Sequence, residues 1–202
     1  MSAGYAAVLL WLASLVLWWS GWRRELAGDL STRAAALFFA LWPAGWLAGF
    51  LLPPGSRTAM TVAALPAAAF LAYRASGPGG RLAVLGTSAL GAALLLVATH
   101  PAVWLGPLAV GPERSVPVLL GAVTALTVRT AREQLAVLSL VLPAAALVGL
   151  RFGSPPPGWP MPEYLADMWW LAYAVCRAAS LILRELAPPL PARKDGRAGD
   201  RA

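Results

Sequence analysis

The sequence predicts an all-α integral membrane bundle of about seven transmembrane helices, with its N-terminus outside and its C-terminus inside. Three observations carry that expectation. The chain is 59% hydrophobic and only 12% charged, far from the soluble norm of roughly half apolar and a quarter charged. Its apolar residues fall into seven stretches separated by short Pro-, Gly- and Arg-bearing gaps. Third, the basic residues alternate. The gaps and tail after the first, third, fifth and seventh stretches hold Arg23, Arg24 and Arg33; Arg74 and Arg81; Arg129 and Arg132; and Arg184, Arg193, Lys194, Arg197 and Arg201. The other three gaps hold one each, Arg57, Arg114 and Arg151, and Arg177 lies inside the last stretch. Lys and Arg in short loops are retained on the cytoplasmic side during insertion, so the alternation sets sidedness.

At about 20 residues per span, seven helices use roughly 140 positions. No gap is long enough for a soluble catalytic domain. Residues 1–187 therefore read as a single transmembrane domain, and 188–202 as a disordered basic cytoplasmic tail rich in Pro, Arg and Gly.

Taken in order, span one runs from about Ala3 to Trp22 and ends in Trp18-Trp19-Ser20-Gly21-Trp22-Arg23-Arg24. Trp rings are best accommodated at headgroup level, which makes Trp18, Trp19 and Trp22 candidate anchors at the inner interface. Span two, Ala34 to Leu52, stops at Pro53-Pro54-Gly55 and carries Pro43, which kinks a helix or opens its hydrogen-bond ladder. Span three, Thr58 to Tyr73, is short and carries Pro66; Ser76-Gly77-Pro78-Gly79-Gly80 after it reads as a loop. Span four, Leu82 to Ala98, ends at His100-Pro101. The gap from Ala102 to Arg114 is apolar but broken by Pro107 and Pro112, the pattern of an interfacial or re-entrant segment. Span five, Val116 to Val128, reaches roughly 20 Å at 1.5 Å per residue, short of a 30 Å hydrocarbon core. Span six, Leu135 to Leu150, contains Pro143; the stiff outer loop Ser154-Pro155-Pro156-Pro157-Gly158-Trp159-Pro160 follows. Span seven, Tyr164 to Leu183, carries Trp169-Trp170 near its outer end, two further candidate interface anchors.

A net charge of +7 would point to nucleic acid in a soluble protein. Here it is topological, and its expected counterpart is the bilayer itself. Anionic headgroups on the cytoplasmic side attract juxtamembrane basic residues by about 1 kcal/mol each. No nucleic-acid partner is expected. A membrane-protein partner or a second copy of the chain is the expected protein contact. Lys194 is the only Lys beside fifteen Arg, and Ala is abundant, marks of a GC-rich coding sequence and a bacterial inner-membrane protein. Cys176 is the sole cysteine, which excludes an intrachain disulfide and a cysteine metal cluster. Residues Met1 to Tyr5 carry no positive charge and the Arg pair follows the first apolar run, unlike a cleaved signal peptide.

Candidate chemistry is sparse. Arg177 is the one charge well inside a span, where a central Arg costs about 2.5–3.5 kcal/mol on insertion scales and marks a functional candidate. It snorkels toward the inner interface, faces a partner in the bundle, or contacts a lipid headgroup or ligand. Asp167 stands nearly three turns away on the same helix, too far to pair with it. His100 is the only histidine, with scattered carboxylates Glu113, Glu163 and Asp167 and no metal-ligand spacing. Gly86-Thr87-Ser88-Ala89 lacks the glycine that follows the serine in intramembrane serine proteases. One His rules out a zinc helix of the H-E-x-x-H type, and Lys194, in the tail, rules out a retinal Schiff base. No cofactor, metal or catalytic constellation is indicated. Gly45-Trp46-Leu47-Ala48-Gly49 places Gly45 and Gly49 at small-xxx-small spacing, which allows close helix contact.

The Trp-rich first span, Leu10-Trp11 through Leu17-Trp18-Trp19-Ser20-Gly21-Trp22-Arg23-Arg24, resembles the YphA-type membrane proteins of spore-forming bacteria, and the size and span number are similar. That resemblance implies an integral membrane protein and brings no functional residues with it. A structural or accessory component of the inner membrane is the expected role. The alternatives are a small-solute or lipid transporter built on the Pro-broken helices and, third, a lipid-modifying membrane enzyme.

Overall fold

The computed structural model describes residues 5–28, 31–33, 35–40, 43, 69–70, 72–74, 76–98, 112–151 and 162–186. Its elements are α1 Tyr5–Trp19, α2 Arg23–Ala27, α3 Pro78–Ala98, α4 Pro112–Thr127, α5 Ala131–Arg151 and α6 Pro162–Leu186. Residues 35–40 and 72–74 are also helical, and no strand occurs among the described residues. The all-α class therefore holds. Two helical stretches, Pro78–Val97 and Leu165–Leu186, are long and apolar enough to cross a bilayer; Tyr5–Trp19 and Ser115–Thr127 are apolar but shorter. Gly45, Gly49, Pro66, His100, positions 102–111, the 154–160 loop and the tail lie outside the described residues.

Several boundaries differ from those read off the sequence, three of them for a local reason. The first span stops at Trp19, three residues early, because the chain turns at Gly21, whose φ of 101° is in the left-handed region open to glycine without a Cβ clash. The Arg pair then starts the short helix α2, not a loop, and α2 closes on Gly28 at φ 61° with the Gly28 N–H donating to the Arg24 carbonyl. The expected loop 76–80 is instead the start of α3 from Pro78 onward. Proline suits a first helical turn, where its missing N–H has no partner to lose. Finally, α4 begins at Pro112, so 112–114 belong to a helix and not to the interfacial segment expected there. Its 16 residues span about 24 Å.

The bundle is organised around α6, which packs most extensively on α4 and also on α1 and α5, while α3 lies mainly against α5. Close approach of α4 and α6 requires Gly121: a Cβ there would stand 2.5 Å from the Ala172 carbonyl oxygen and 3.0 Å from the Val175 Cβ. Leu95, Leu120, Leu138, Val141, Met168 and Trp169 fill the core between the helices. Large apolar side chains also point outward along α1, α3, α4 and α6, among them Leu9, Val16, Leu82, Leu90, Val97, Leu119, Leu126 and Ile182. In water such a surface would be an aggregation liability.

Helix directions follow from contacts near the termini. Gly80, in the first turn of α3, lies under the Glu133 carboxylate of the first turn of α5, so these two helices start at the same end. Gln134 of that same turn bonds to Val128, just past α4, and to Ser180, near the close of α6. Thus α4 and α6 finish where α3 and α5 begin. At the opposite end, the Ala7 N–H of α1 donates to Asp167 Oδ1 of α6 at 2.6 Å, so α1 starts alongside the beginning of α6. A carboxylate from a neighbouring helix thereby satisfies one of the four free N–H groups of α1 and sits at its positive dipole end.

The Gly121 contact gives a direct test. Gly121→Val should lower stability by about 1–3 kcal/mol through overpacking, read as a lowered midpoint of thermal unfolding in detergent. Gly86→Ala, at a position with nothing within 4 Å of an added Cβ, should leave the midpoint unchanged or slightly raised.

Candidate functional site

The polar centre of the fold lies where α4, α5 and α6 meet. Its starting point is the N-terminus of α5. Thr130 precedes the helix; its Oγ1 accepts the Glu133 N–H at 3.3 Å and donates to Glu133 Oε2 at 2.7 Å. This is a variant of the capping box, and it fixes the register of the first turn. The next residue, Gln134, is thereby turned inward and fully buried. Its Nε2 donates to the Val128 carbonyl and to Ser180 Oγ, both at 2.7 Å, and its Oε1 accepts from Arg177 at 2.8 Å. Ser180 Oγ in turn donates to the Cys176 carbonyl at 2.8 Å. Both donor hydrogens of one amide are used, and three helices are tied through it.

Arg177 therefore has a partner inside the bundle, but a neutral one. Gln134 orients the guanidinium without cancelling its charge. The Arg177 Nε is buried and has no hydrogen-bond partner among the described residues. Asp167 is about 15 Å away along α6 and is engaged with α1, in keeping with the spacing argument that the two do not pair.

Beside this network opens a cavity of about 670 Å³ lined by Arg24, Arg129, Arg177 and Arg184, with Gly28, Thr130 and Ser180 among the other lining residues. No carboxylate lines it among the described residues. The fold brings each arginine from a different place: α2, the α4–α5 connection, the body of α6 and the last turn of α6. Tyr173 helps to hold α2 here, because its hydroxyl donates to the Leu26 carbonyl, one of the carbonyls left free at a helix C-terminus. Gly28 lets α2 sit tight on α5, since its Cβ position is only 3.2 Å from the Ala131 Cβ.

A second cavity, of about 240 Å³, runs between α1 and α6. Leu10, Ala13, Ser14 and Leu17 line it on one side, Trp170, Tyr173, Ala174, Ala178 and Leu181 on the other, and Trp22, Glu25 and Leu26 close its end. It is mostly apolar. Arg177 and Leu181 line both cavities.

The other residues singled out from sequence fall elsewhere. Trp169 and Trp170 are not interface anchors: each is 1% exposed. Their rings contact each other at 5.0 Å, and Trp169 also meets Phe38 at 5.3 Å and stacks on Tyr173 at 5.2 Å. A headgroup-level ring must have its polar edge in water; the Trp169 Nε1–H instead donates to Ser139 Oγ. Trp18 is also turned inward, against Phe39 at 5.5 Å, with the Arg23 guanidinium over its ring. Trp19 and Trp22 are exposed. Ser88 is buried, and its hydroxyl has no partner among the described residues. No cluster of metal-binding side chains occurs among the described residues. No family model, curated protein or solved structure matches this chain.

Sequence reasoning reached Arg177 and missed its partner. One signal was available: Gln134 is the only side-chain amide in the chain, which has no other Gln and no Asn. Replacing it with Leu should cost about 1–3 kcal/mol, because Arg177, Ser180 and the Val128 carbonyl lose a buried partner together. A double-mutant cycle of Gln134→Ala and Arg177→Ala, read by denaturant unfolding in micelles, should be non-additive. Additivity within about 0.5 kcal/mol would mean that the two side chains do not act as a unit.

Proposed function

We propose that this chain is a multi-pass protein of the bacterial cytoplasmic membrane, seven-spanned with its N-terminus outside, serving as an accessory component. One observation carries the reading: arginines that are far apart in sequence gather at a single end of the bundle. Arg24, Arg129, Arg177 and Arg184 share one cavity. Arg81 lies at the same end, on the first helical turn that packs under Glu133, where it donates to the Ser76 and Arg74 carbonyls. That is the distribution that retention of basic loops at the cytoplasmic face produces. The outward-facing leucines and valines supply the lipid-contacting surface, and exposed Trp19 and Trp22 lie at the basic end, at headgroup depth.

The polar network supports an architectural role, since Gln134 is used in holding helices together. The YphA-like first span fits the same assignment. A second reading, an inward-facing carrier of an anionic solute, rests on the arginine-lined cavity alone. Beyond the cavity the described core is filled by apolar side chains such as Leu120, Leu138 and Trp169, so the carrier reading requires a rearrangement that the accessory reading does not.

Sidedness is tested by labelling. In a Cys176→Ser background, single cysteines at Gly77 and Ser154 should react with an impermeant maleimide from opposite faces, Ser154 from outside in intact cells. Reaction of both from the same face would overturn the seven-span arrangement.

A further inference from the structure

We propose that the arginine-lined cavity and the adjoining apolar groove together form a binding site for one anionic phospholipid. Its phosphate would lie among Arg24, Arg129, Arg177 and Arg184, and an acyl chain would lie between α1 and α6. This rests on the membrane reading above and gives that site a ligand.

Four features carry the proposal. The first is charge. Four guanidinium groups line a cavity that no carboxylate lines among the described residues, nor does any of the four make an ion pair among them. Guanidinium groups match phosphate oxygens in pairs of parallel N–H donors, and basic pockets between transmembrane helices on the cytoplasmic side are a recognised way of holding anionic headgroups. The second is orientation. Arg177 is fixed by Gln134 through one terminal nitrogen, so part of its side-chain entropy is lost before any ligand arrives.

The third feature separates a lipid from a free phosphate. The groove shares Arg177 and Leu181 with the cavity as lining residues, and its α6 wall extends from Trp170 to Leu181, about 16 Å of helix. A soluble anion would make no use of that wall. The fourth is polarity along the path. Both α1 and α6 run toward the basic end, so the groove points from the phosphate site back toward the middle of the apolar bundle. Among the described residues, Glu25 is the one carboxylate in the groove lining, and it stands beside Trp22 and Leu26, at the groove's end.

The test uses the full chain purified in mild detergent and native mass spectrometry with added phosphatidylglycerol, cardiolipin or phosphatidylcholine. The anionic lipids should be retained at least tenfold better than phosphatidylcholine. The triple variant Arg24→Gln, Arg129→Gln, Arg184→Gln should abolish that preference. These three side chains are exposed, so the fold should survive, as checked by unchanged lipid-free melting. A control triple with the same charge change, Arg23→Gln, Arg33→Gln, Arg74→Gln, should retain the preference. Ala178→Phe, which fills the groove, should weaken lipid retention several-fold. Equal loss in both triples would show diffuse charge attraction and overturn the site. Thermal protection by inorganic phosphate or pyrophosphate, unaffected by Ala178→Phe, would identify a free-anion site and overturn the lipid. Retention without headgroup preference would do the same. None of these readouts depends on sidedness, so a failed labelling experiment and a failed lipid site remain distinguishable.

Discussion

The hydrogen bond from Arg177 to the neutral amide of Gln134 is the interaction on which the rest of the basic end depends. An arginine inside an apolar helix needs an acceptor, and the usual one is a carboxylate. A carboxylate here would have neutralised the site and made it purely structural. An amide satisfies geometry while leaving the charge in place, and its remaining donors reach α4 and α6 at the same time. Removing the amide would leave the half-buried guanidinium without its acceptor, at a cost of about 1–3 kcal/mol. The same 2.8 Å contact therefore holds three helices and keeps one positive charge directed at a cavity.

Much follows from how α6 is placed. Gly121 brings α4 close, Asp167 reaches across to the first turn of α1, and Tyr173 reaches α2. These three contacts lie along one helix, from its first turns to its middle, and each depends on a residue type suited to it. Glycine allows close backbone approach, aspartate suits a helix N-terminus, and a phenol serves a free carbonyl. The stacked Trp169–Tyr173 pair stiffens the middle. Placing a residue such as Trp170 in the protein interior shows that α6 is read on two sides. One side meets α4 and α5, and the other forms the wall of the groove with α1.

The helical class was legible because apolar runs of helix length separated by Pro and Gly have few other solutions in a chain this hydrophobic. Pro143 was read inside a span and lies inside α5. What the sequence did not disclose was rotation. Trp169 and Trp170 look like interface residues by their position near the beginning of a helix, yet the helix face they occupy turns them inward. Helix α2 was hidden because Arg23 and Arg24 resemble a loop in composition, and only the positive φ values at Gly21 and Gly28 show how a short helix folds back there. Gln134 was hidden because an amide at a helix start looks solvated until the opposing helices are placed. Arg24, Arg129 and Arg184 could each be explained by sidedness alone, and nothing in one dimension says that they meet.

That they meet has an electrostatic consequence. Two unit charges 8 Å apart repel by roughly 0.5 kcal/mol in water and about 2 kcal/mol at an effective dielectric constant of 20. Water and salt screen the three exposed arginines of the cavity, Arg24, Arg129 and Arg184, and screen the half-buried Arg177 least. No carboxylate stands among the described residues that line the cavity. Snorkelling apart would relieve the strain for the exposed three, but Arg177 is held by Gln134 and cannot follow. The bound phospholipid proposed above would supply a compensating charge. At the cytoplasmic face of a membrane the nearest anions are the lipids themselves, already present at high local concentration and already aligned with their phosphates at the depth of the helix ends. On the proposed topology, arginines placed by the requirement for sidedness would, once folded, form a site that the anionic leaflet completes.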